Sequence, residues 1–482
     1  SVGCMCKYAA MLEDPADIRY MLEKAWHLAT TGRMGPVWLD IPVNYQGCTI
    51  ETDALRGYDP AEDAAAMPAP VQKETVQQVA ELIKNAKRPV LYAGNGIRLS
   101  GGFEKFREVV EKLGVPVVTS WDSLDLIEDD HPLYCGRGGN MGDRPGNFAV
   151  QNADLVLAVG IRLSIRQVGY DWKTWARAAK VVMVDVDPAE LKKPTLHIDL
   201  PVCADAKDFL TALETAIAGE ALPLNPQQGW RELCESWKKN YPVVLPRHWA
   251  ENGKTANCYA FIRYVGEAAP AGTLAVTSNG TCCVAGNQCY CIKPGTRFIN
   301  NNAIASMGYG LPAAIGACIA NGRKDTICLE GDGSIMMNLQ ELQTVVTNRL
   351  PLKLFLINND GYHSIRQTQN NLFKEHCKVG IGPESGDLSF PSFEKIAGAF
   401  ELPYYSAHSN AEMKAAVDKA LAQEGPVFCE IFVDTQQIFE PKSATKRLPD
   451  GTLVSPPLED LAPFLPREEL ESIMQIPLMD EV

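Results

Sequence analysis

The residues best suited to chemistry are Gly331-Asp332-Gly333-Ser334 and, one apolar run later, Asn358-Asn359-Asp360-Gly361-Tyr362. Residues 326–329 read as a buried strand and residues 335–342 as the opening of an amphipathic helix, so Gly-Asp-Gly stands at a strand-to-helix turn. At such a turn the free backbone N–H groups and the positive end of the helix dipole favour phosphate oxygens. A divalent cation bridging a diphosphate takes hard oxygen ligands: Asp332 offers a carboxylate, Asn359 an amide oxygen and Gly361 a carbonyl. Residues 352–357 read as the next strand, at a distance that suits a strand-helix-strand crossover. Gly-Asp-Gly by itself is a common structural turn; the two blocks together specify a clamp for a metal-bound diphosphate. Ser334 is either a helix cap or a hydroxyl donor to a phosphate oxygen. Asn279-Gly280-Thr281, just after a strand at 274–277, either contacts the same diphosphate or closes a loop turn.

A second set of strand-end motifs lies upstream. Gly94 and Gly96, Gly136-Arg137-Gly138-Gly139, Gly160 with Arg162 and Arg166, and Asp185 with Asp187 all follow or lead from strand ends, as dinucleotide sites in open sheets do. Gly94-Asn95-Gly96 taken alone reads equally well as a tight turn.

The elements that must position these residues alternate along the chain. Between residues 71 and 218, strands at 90–93, 115–119, 155–159 and 181–186 are separated by helices; between 255 and 434, strands at 274–277, 326–329, 352–357 and 427–433 repeat the pattern. This predicts an α/β fold of successive doubly wound parallel-sheet domains. Ahead of them, Ile18, Met21, Leu22, Ala25, Trp26 and Ala29 mark one helical face and residues 36–42 a short strand. Residues 59–70 and 223–228 read as linkers. The tail from Gln436, with Pro441, Pro449, Pro456, Pro457 and Pro466, reads as extended and laid over a neighbouring domain. The expected boundaries are 1–55, 71–220, 250–445 and 446–482.

The chain has 482 residues, 46% of them hydrophobic, enough for about three domains. A formal net charge of −14 argues against nucleic acid or an anionic membrane surface as partner and for small-molecule chemistry. No run is long and apolar enough to span a bilayer, and residues 1–6 lack the basic and apolar regions of a signal peptide. The odd set of 15 cysteines, scattered rather than framed, points to reduced thiols and a cytoplasmic protein. Cys282, Cys283, Cys289 and Cys291 have no histidines at zinc spacing and read as small buried side chains in a loop.

On Gly331-Asp332-Gly333-Ser334, residues 305–314 (Ala-Ser-Met-Gly-Tyr-Gly-Leu-Pro-Ala-Ala), Tyr362-His363-Ser364-Ile365-Arg366-Gln367-Thr368-Gln369 and residues 32–42 (Gly-Arg-Met-Gly-Pro-Val-Trp-Leu-Asp-Ile-Pro), the chain resembles the acetolactate synthase-like branch of the thiamin diphosphate enzymes. The resemblance implies a thiamin diphosphate-binding fold with a Rossmann-like middle domain. It implies thiamin diphosphate and Mg²⁺ on residues 250–445, with Asp332, Asn359 and Gly361 as metal ligands. Asn279, Gly280, Thr281, Ala305, Gly331, Gly333, Ser334, Tyr362, His363, Ser364 and Ile365 then lie around the cofactor. Met307 takes the position of the apolar residue that props the cofactor in a bent shape, although a methionine at a helix start is otherwise a core residue. Ile365 is placed against the thiazolium. His363 is either a proton shuttle or a packing residue, and Arg366 either holds the acceptor's carboxylate or phosphate or makes a structural salt bridge. Met307, His363 and Ile365 are thus the candidate catalytic residues.

For the middle domain the resemblance implies FAD, near Gly94, Gly96, Gly138, Gly160, Arg162, Arg166, Asp185 or Asp187, and Asp205. Where branched-chain acetolactate synthases carry a Trp this chain has Thr368, which turns the expectation away from 2-ketobutyrate as acceptor. Residues 1–55 resemble only the closing part of the family's pyrimidine-binding domain, so the family's catalytic glutamate is not expected in this chain. A homodimer or homotetramer is expected, the pyrimidine-binding domain coming from the same gene product or a partner chain. The activity implied is decarboxylation of a 2-oxo acid, pyruvate first, with carboligation of the hydroxyethyl unit to a carbonyl acceptor. The alternatives are a non-ligating decarboxylase and a non-catalytic subunit that binds both cofactors.

Overall fold

Long apolar runs that cannot be solvated on either face must lie between helices, and two such sheets organise the molecule. A computed structural model describes residues 1–373, 378–447 and 451–479; Pro449 of the tail lies outside the described residues. The first strands, β1 (Tyr8–Met11) and β2 (Val37–Asp40), form a parallel pair against the helix Ile18–Thr30. That helix buries Met21, Ala25 and Leu28 and leaves Leu22 and Trp26 exposed, so only part of the face read from the sequence is core.

The middle sheet holds β3 (Pro89–Ala93), β4 (Val117–Thr119), β5 (Tyr134–Arg137), β6 (Leu155–Val159), β7 (Lys180–Asp185) and β8 (Leu200–Cys203) in the order β5-β4-β3-β6-β7-β8, all parallel. One face packs on the helices Lys73–Asn85, Phe103–Leu113 and Ala206–Ala216 through Val79, Phe106, Val109 and Phe209. Burying each such side chain favours the fold by about 1.5–3 kcal/mol, which outweighs the weak intrinsic preference of helices this short. The other face takes Phe148 of the helix Arg144–Asn152 and Trp230 and Trp237 of Gln228–Asn240.

The last sheet holds β9 (Leu274–Thr277), β10 (Arg297–Ile299), β11 (Thr326–Gly331), β12 (Leu352–Asn358), β13 (Tyr404–Ala407) and β14 (Val427–Phe432), ordered β10-β9-β11-β12-β14-β13 and again all parallel. The edge strands β5, β8, β10 and β13 are absent from the sequence reading. They are short, and β8, β10 and β13 are only partly buried, so their apolar signal is weak.

Two stretches read as linkers are not free. Residues 60–66 form a 3₁₀ helix, and in 223–228 Leu224 joins the middle core while Asn225 donates to the carbonyls of Ile83 and Ala86. The tail sends Leu458, Leu461, Leu470 and Ile473 into the core of the middle domain. Its Glu459 is buried and accepts from Gln151 at 2.5 Å and pairs with Arg177 at 2.8 Å. No described helix is long and apolar enough to cross a membrane.

Candidate cofactor sites at two strand-end crevices

In an open parallel sheet, ligands bind beyond the carboxyl ends of the strands, where the order reverses. In the last sheet that point lies between β9 and β11, and the segments singled out in the sequence converge there. Asp332, 2% exposed, follows β11; one carboxylate oxygen accepts from the Gly333 N–H at 2.7 Å and the other from the Gly361 N–H at 2.9 Å. Burial pushes its carboxyl up to about 7 in the metal-free protein, against the pull of those two N–H groups. The Asn359 amide nitrogen donates to Thr281 Oγ1 at 2.9 Å, and Asn279 donates to the Ser306 carbonyl. The amide oxygens of both asparagines are buried without a partner.

At Gly361 the backbone admits only glycine. Gly361 has φ +126°, and a Cβ there would stand 1.9 Å from the Ile381 carbonyl oxygen; Asp360 is itself left-handed at φ 58°. Ser334 is not a helix cap. It lies inside the four-residue helix Asp332–Ile335, where its hydroxyl accepts from the Gly308 N–H at 2.9 Å and meets the Ser278 hydroxyl at 2.7 Å. The continuous helix expected from residue 335 is broken: a turn separates Asp332–Ile335 from Glu341–Thr347. Gly280, at φ 69°, leads into the helix Thr281–Cys289, which carries Cys282, Cys283 and Cys289 as buried side chains on a helix, not in a loop. Ala305, at φ 58°, and Met307, 46% exposed, border the crevice segment that Asn279 and Ser334 tie down.

Beyond β12 the helix His363–Leu372 carries the remaining candidates. Tyr362 packs edge-on to Phe390 and accepts no side chain at Gly333, whose Cβ would lie 2.3 Å from its ring. Ser364, Ile365 and Thr368 are exposed, Ile365 at 44%, and the Thr368 hydroxyl donates to the Ser364 carbonyl at 3.1 Å. His363 is buried; its Nε2 lies 2.6 Å from the Gln437 carbonyl and donates to it, its ring stands edge-on to Phe439, and burial lowers its pKa. Its visible work is to anchor the chain at 437–439, while Nδ1 is buried without a partner. Arg366 is 1% exposed and donates to the Asn359 carbonyl at 2.9 Å, the Asp360 carbonyl at 2.6 Å and Glu384 at 3.1 Å. That geometry is structural and leaves the guanidinium closed to an acceptor's carboxylate.

In the middle sheet the order reverses between β3 and β6, and there Gly96 and Gly160 pack backbone to backbone. Gly160 has φ +60°, and its Cβ would stand 2.9 Å from the Gly96 Cα and the Ile97 nitrogen. Beside them opens a cavity of about 960 Å³ whose wall includes Gly96, Gly160, Arg162, Arg166, Asp185 and Asp205. Gly94, Gly138 and Asp187 lie outside that wall: Gly94 is pressed on the Gly160 carbonyl, Gly138 on the Tyr92 hydroxyl, and Asp187 accepts from the Ala189 N–H. Arg162 pairs with Glu190, and the Arg166 guanidinium lies 5.3 Å from the Trp121 ring. Asp185 accepts from the Asp187 N–H and Asp205 caps the helix Ala206–Ala216 from its first turn, so both carboxylates have local work.

Comparison with known proteins draws the two crevices together. The family described as "Thiamine pyrophosphate enzyme, central domain" matches residues 76–213, and "Thiamine pyrophosphate enzyme, C-terminal TPP binding domain" matches residues 278–431. "Acetolactate synthase 1, chloroplastic" of Zea mays is 32% identical over 89% of this chain and 67% of its own length. "Acetolactate synthase isozyme 2 large subunit" of Escherichia coli is 29% identical over 96% of this chain and 79% of its own. The chain belongs to the thiamine pyrophosphate enzyme family. It spans about two thirds of the length of the maize relative.

A C-terminal TPP-binding domain accounts for the two orphaned amide oxygens, since a buried acceptor without a donor is disfavoured unless a ligand completes it. The donor set of one carboxylate, one amide oxygen and one carbonyl fits a hard cation that takes its other ligands from diphosphate and water. Four participants escaped the sequence reading. Arg33, Asp122 and Asn302 line the middle cavity; Asn302 donates to Asp122 at 2.6 Å, and burial pushes Asp122 up to about 6. The signal for Arg33 was present, because it stands in the glycine-rich segment before β2. Glu330, fully buried, accepts from the N–H groups of Leu311 and Gly331 and so fixes the crevice from behind. An acid inside an otherwise apolar strand was its only signal.

Proposed function

We propose that this protein binds thiamin diphosphate through Mg²⁺, decarboxylates a 2-oxo acid, pyruvate first, and ligates the two-carbon unit to a carbonyl acceptor. The observation that carries this reading is the pair of buried, unpartnered amide oxygens of Asn279 and Asn359 beside the Asp332 carboxylate. Asp332, the Asn359 side chain and the Gly361 carbonyl would hold the cation, with Thr281 and Ser334 toward the diphosphate. When bound, thiamin diphosphate supplies an electron sink for the carbon that loses CO₂. The chain's own residues orient and shield. Met307 and Ile365 would offer their exposed apolar surface to the cofactor, Glu330 and Arg366 hold the backbone around it, and His363 fixes the segment at 437–439.

The names of the relatives support ligation over simple decarboxylation. FAD in the middle cavity is part of the proposal, motivated by the volume of about 960 Å³ and by Arg33, Arg162 and Arg166 around it. Its role would be structural, because the ligation transfers no net electrons. The pyrimidine side of the cofactor would be met by residues of the same gene product or of a partner chain, in a homodimer or homotetramer. Thr368 in place of a Trp leaves room for an acceptor larger than 2-ketobutyrate, and Thr368→Trp is expected to narrow the acceptor range. The test is calorimetry of thiamin diphosphate with and without Mg²⁺, followed by pyruvate consumption with a panel of aldehydes, ketones and keto-sugars. Metal-independent or absent cofactor binding by the complete assembly would overturn the reading.

A further inference from the structure

The turn at residues 359–361 is held in a form it would not choose. Asp360 is left-handed at φ 58°, Gly361 at φ +126° is pressed on the Ile381 carbonyl, and the Asn359 amide oxygen is buried with no donor. A free turn would relax by rotating that amide toward any N–H or toward water. Thr281 Oγ1 holds the amide nitrogen, and the backbone of the turn is held by Arg366, seven residues beyond Asn359 on the following helix. Its planar fork spends one terminal nitrogen on the Asn359 carbonyl and the other on the Asp360 carbonyl, and its Nε on Glu384. Glu384 belongs to the segment that supports the turn from behind, where the Ile381 carbonyl accepts from the Tyr362 N–H at 2.8 Å, and Lys378 pairs with it from outside.

We propose that Arg366 is a positioning residue that presets this turn, so that the Asn359 amide oxygen and the Gly361 carbonyl already face the cation position before any cation arrives. The proposal rests on the reading of Asp332, Asn359 and Gly361 as metal ligands and goes beyond it: an arginine that touches neither metal nor substrate sets the affinity for the metal by withholding the turn's relaxed state. The guanidinium suits this work where an ammonium does not, since a point charge cannot serve two adjacent carbonyls and a carboxylate in one plane.

The experiment is hydrogen exchange on the metal-free full chain, with calorimetry of Mg²⁺ binding in saturating thiamin diphosphate on the complete assembly. In Arg366→Lys the amides of residues 360–362 are expected to exchange about tenfold faster, while β12 and the middle-domain core are unchanged. Mg²⁺ affinity is expected to fall by about tenfold. A folded Arg366→Lys with unchanged exchange at 360–362 overturns the proposal. If that variant does not fold, Glu384→Gln serves: faster exchange confined to 360–362 and 380–386 supports it, and unchanged exchange overturns it. Should the wild type bind no Mg²⁺ with thiamin diphosphate, the cofactor reading falls and the positioning role with it; should Arg366→Lys loosen the turn yet keep wild-type Mg²⁺ affinity, the positioning role alone falls.

Discussion

The middle and last sheets share one architecture, six parallel strands with helices on both faces, and differ in what stands at the point where strand order reverses. Between β3 and β6 the chain places glycines in backbone contact, and the acids nearby are occupied: Asp185 by its own turn, Asp205 by a helix N-terminus. The result is a half-open volume in which those acids are already satisfied. Between β9 and β11 the chain places Asn279 and Asp332, and the neighbouring turn adds Asn359. There the structure leaves amide oxygens without donors and a carboxyl raised to about 7 by burial. The difference teaches that topology fixes where a ligand can sit, whereas the chemistry of a few strand-end side chains fixes which ligand. Shape-led binding tolerates satisfied walls. Cation-led binding needs oxygen atoms left waiting.

The largest effect that would break this contrast is expected from Asp332→Ala. Losing the only carboxylate in the proposed donor set of the cation should weaken Mg²⁺-dependent thiamin diphosphate binding by roughly 100-fold or more, read by calorimetry, with any flavin uptake by the middle cavity unaltered. Equal loss at both sites would mean that the two crevices are not independent. Gly160→Val should do the reverse. A branched side chain at φ +60°, against Gly96, is expected to destabilise the middle domain by about 2–3 kcal/mol, measured by denaturant unfolding, while the Asp332 crevice keeps its affinity.

Asn359→Leu sharpens the contrast further. Removing the orphaned acceptor together with the amide's hydrogen bond to Thr281 should cost the metal-free protein only about 1–2 kcal/mol, yet lower Mg²⁺ affinity by about tenfold. A large stability loss without change in Mg²⁺ affinity would show that the amide oxygen is structural. The smallest effect is a pH slope. Because burial raises Asp332 to about 7, the folded metal-free protein holds a proton that the unfolded chain releases between the ordinary carboxylate range and pH 7. This group's stabilising contribution is therefore complete at low pH and is lost as pH rises toward and through 7. Saturation with Mg²⁺ and thiamin diphosphate should remove the slope, and a melting temperature that rises with pH in Asp332-intact protein but not in Asp332→Asn would contradict the assignment.

Much of this was legible in the chain before folding. The central strand β6 is an unbroken apolar run and β12 is apolar from Leu354 to Ile357 because both faces are buried, and that signal survives in any sequence window. Gly331-Asp332-Gly333 and Asn359-Asp360-Gly361 announced themselves because oxygen-bearing side chains suit a hard cation and because the backbone at Gly361, φ +126°, suits only glycine. The short edge strands, the break after Ile335 and the part-exposed helix Ile18–Thr30 were not legible. Each depends on what packs across from it, a quantity with no local signature.

The sequence by itself determined two parallel sheets, their order along the chain and the family to which they belong, since periodicity and motif spacing are properties of neighbours in the chain. Only the tertiary structure decided the use of individual side chains. Arg366 closes a turn instead of meeting an acceptor, His363 holds a backbone carbonyl, Asp205 caps a helix and Glu330 braces the crevice from within a strand. The physical reason is that a polar group's role is set by which donor or acceptor lies within about 3 Å of it, and at Arg366 and Glu384, 18 positions apart, folding alone supplies that neighbour.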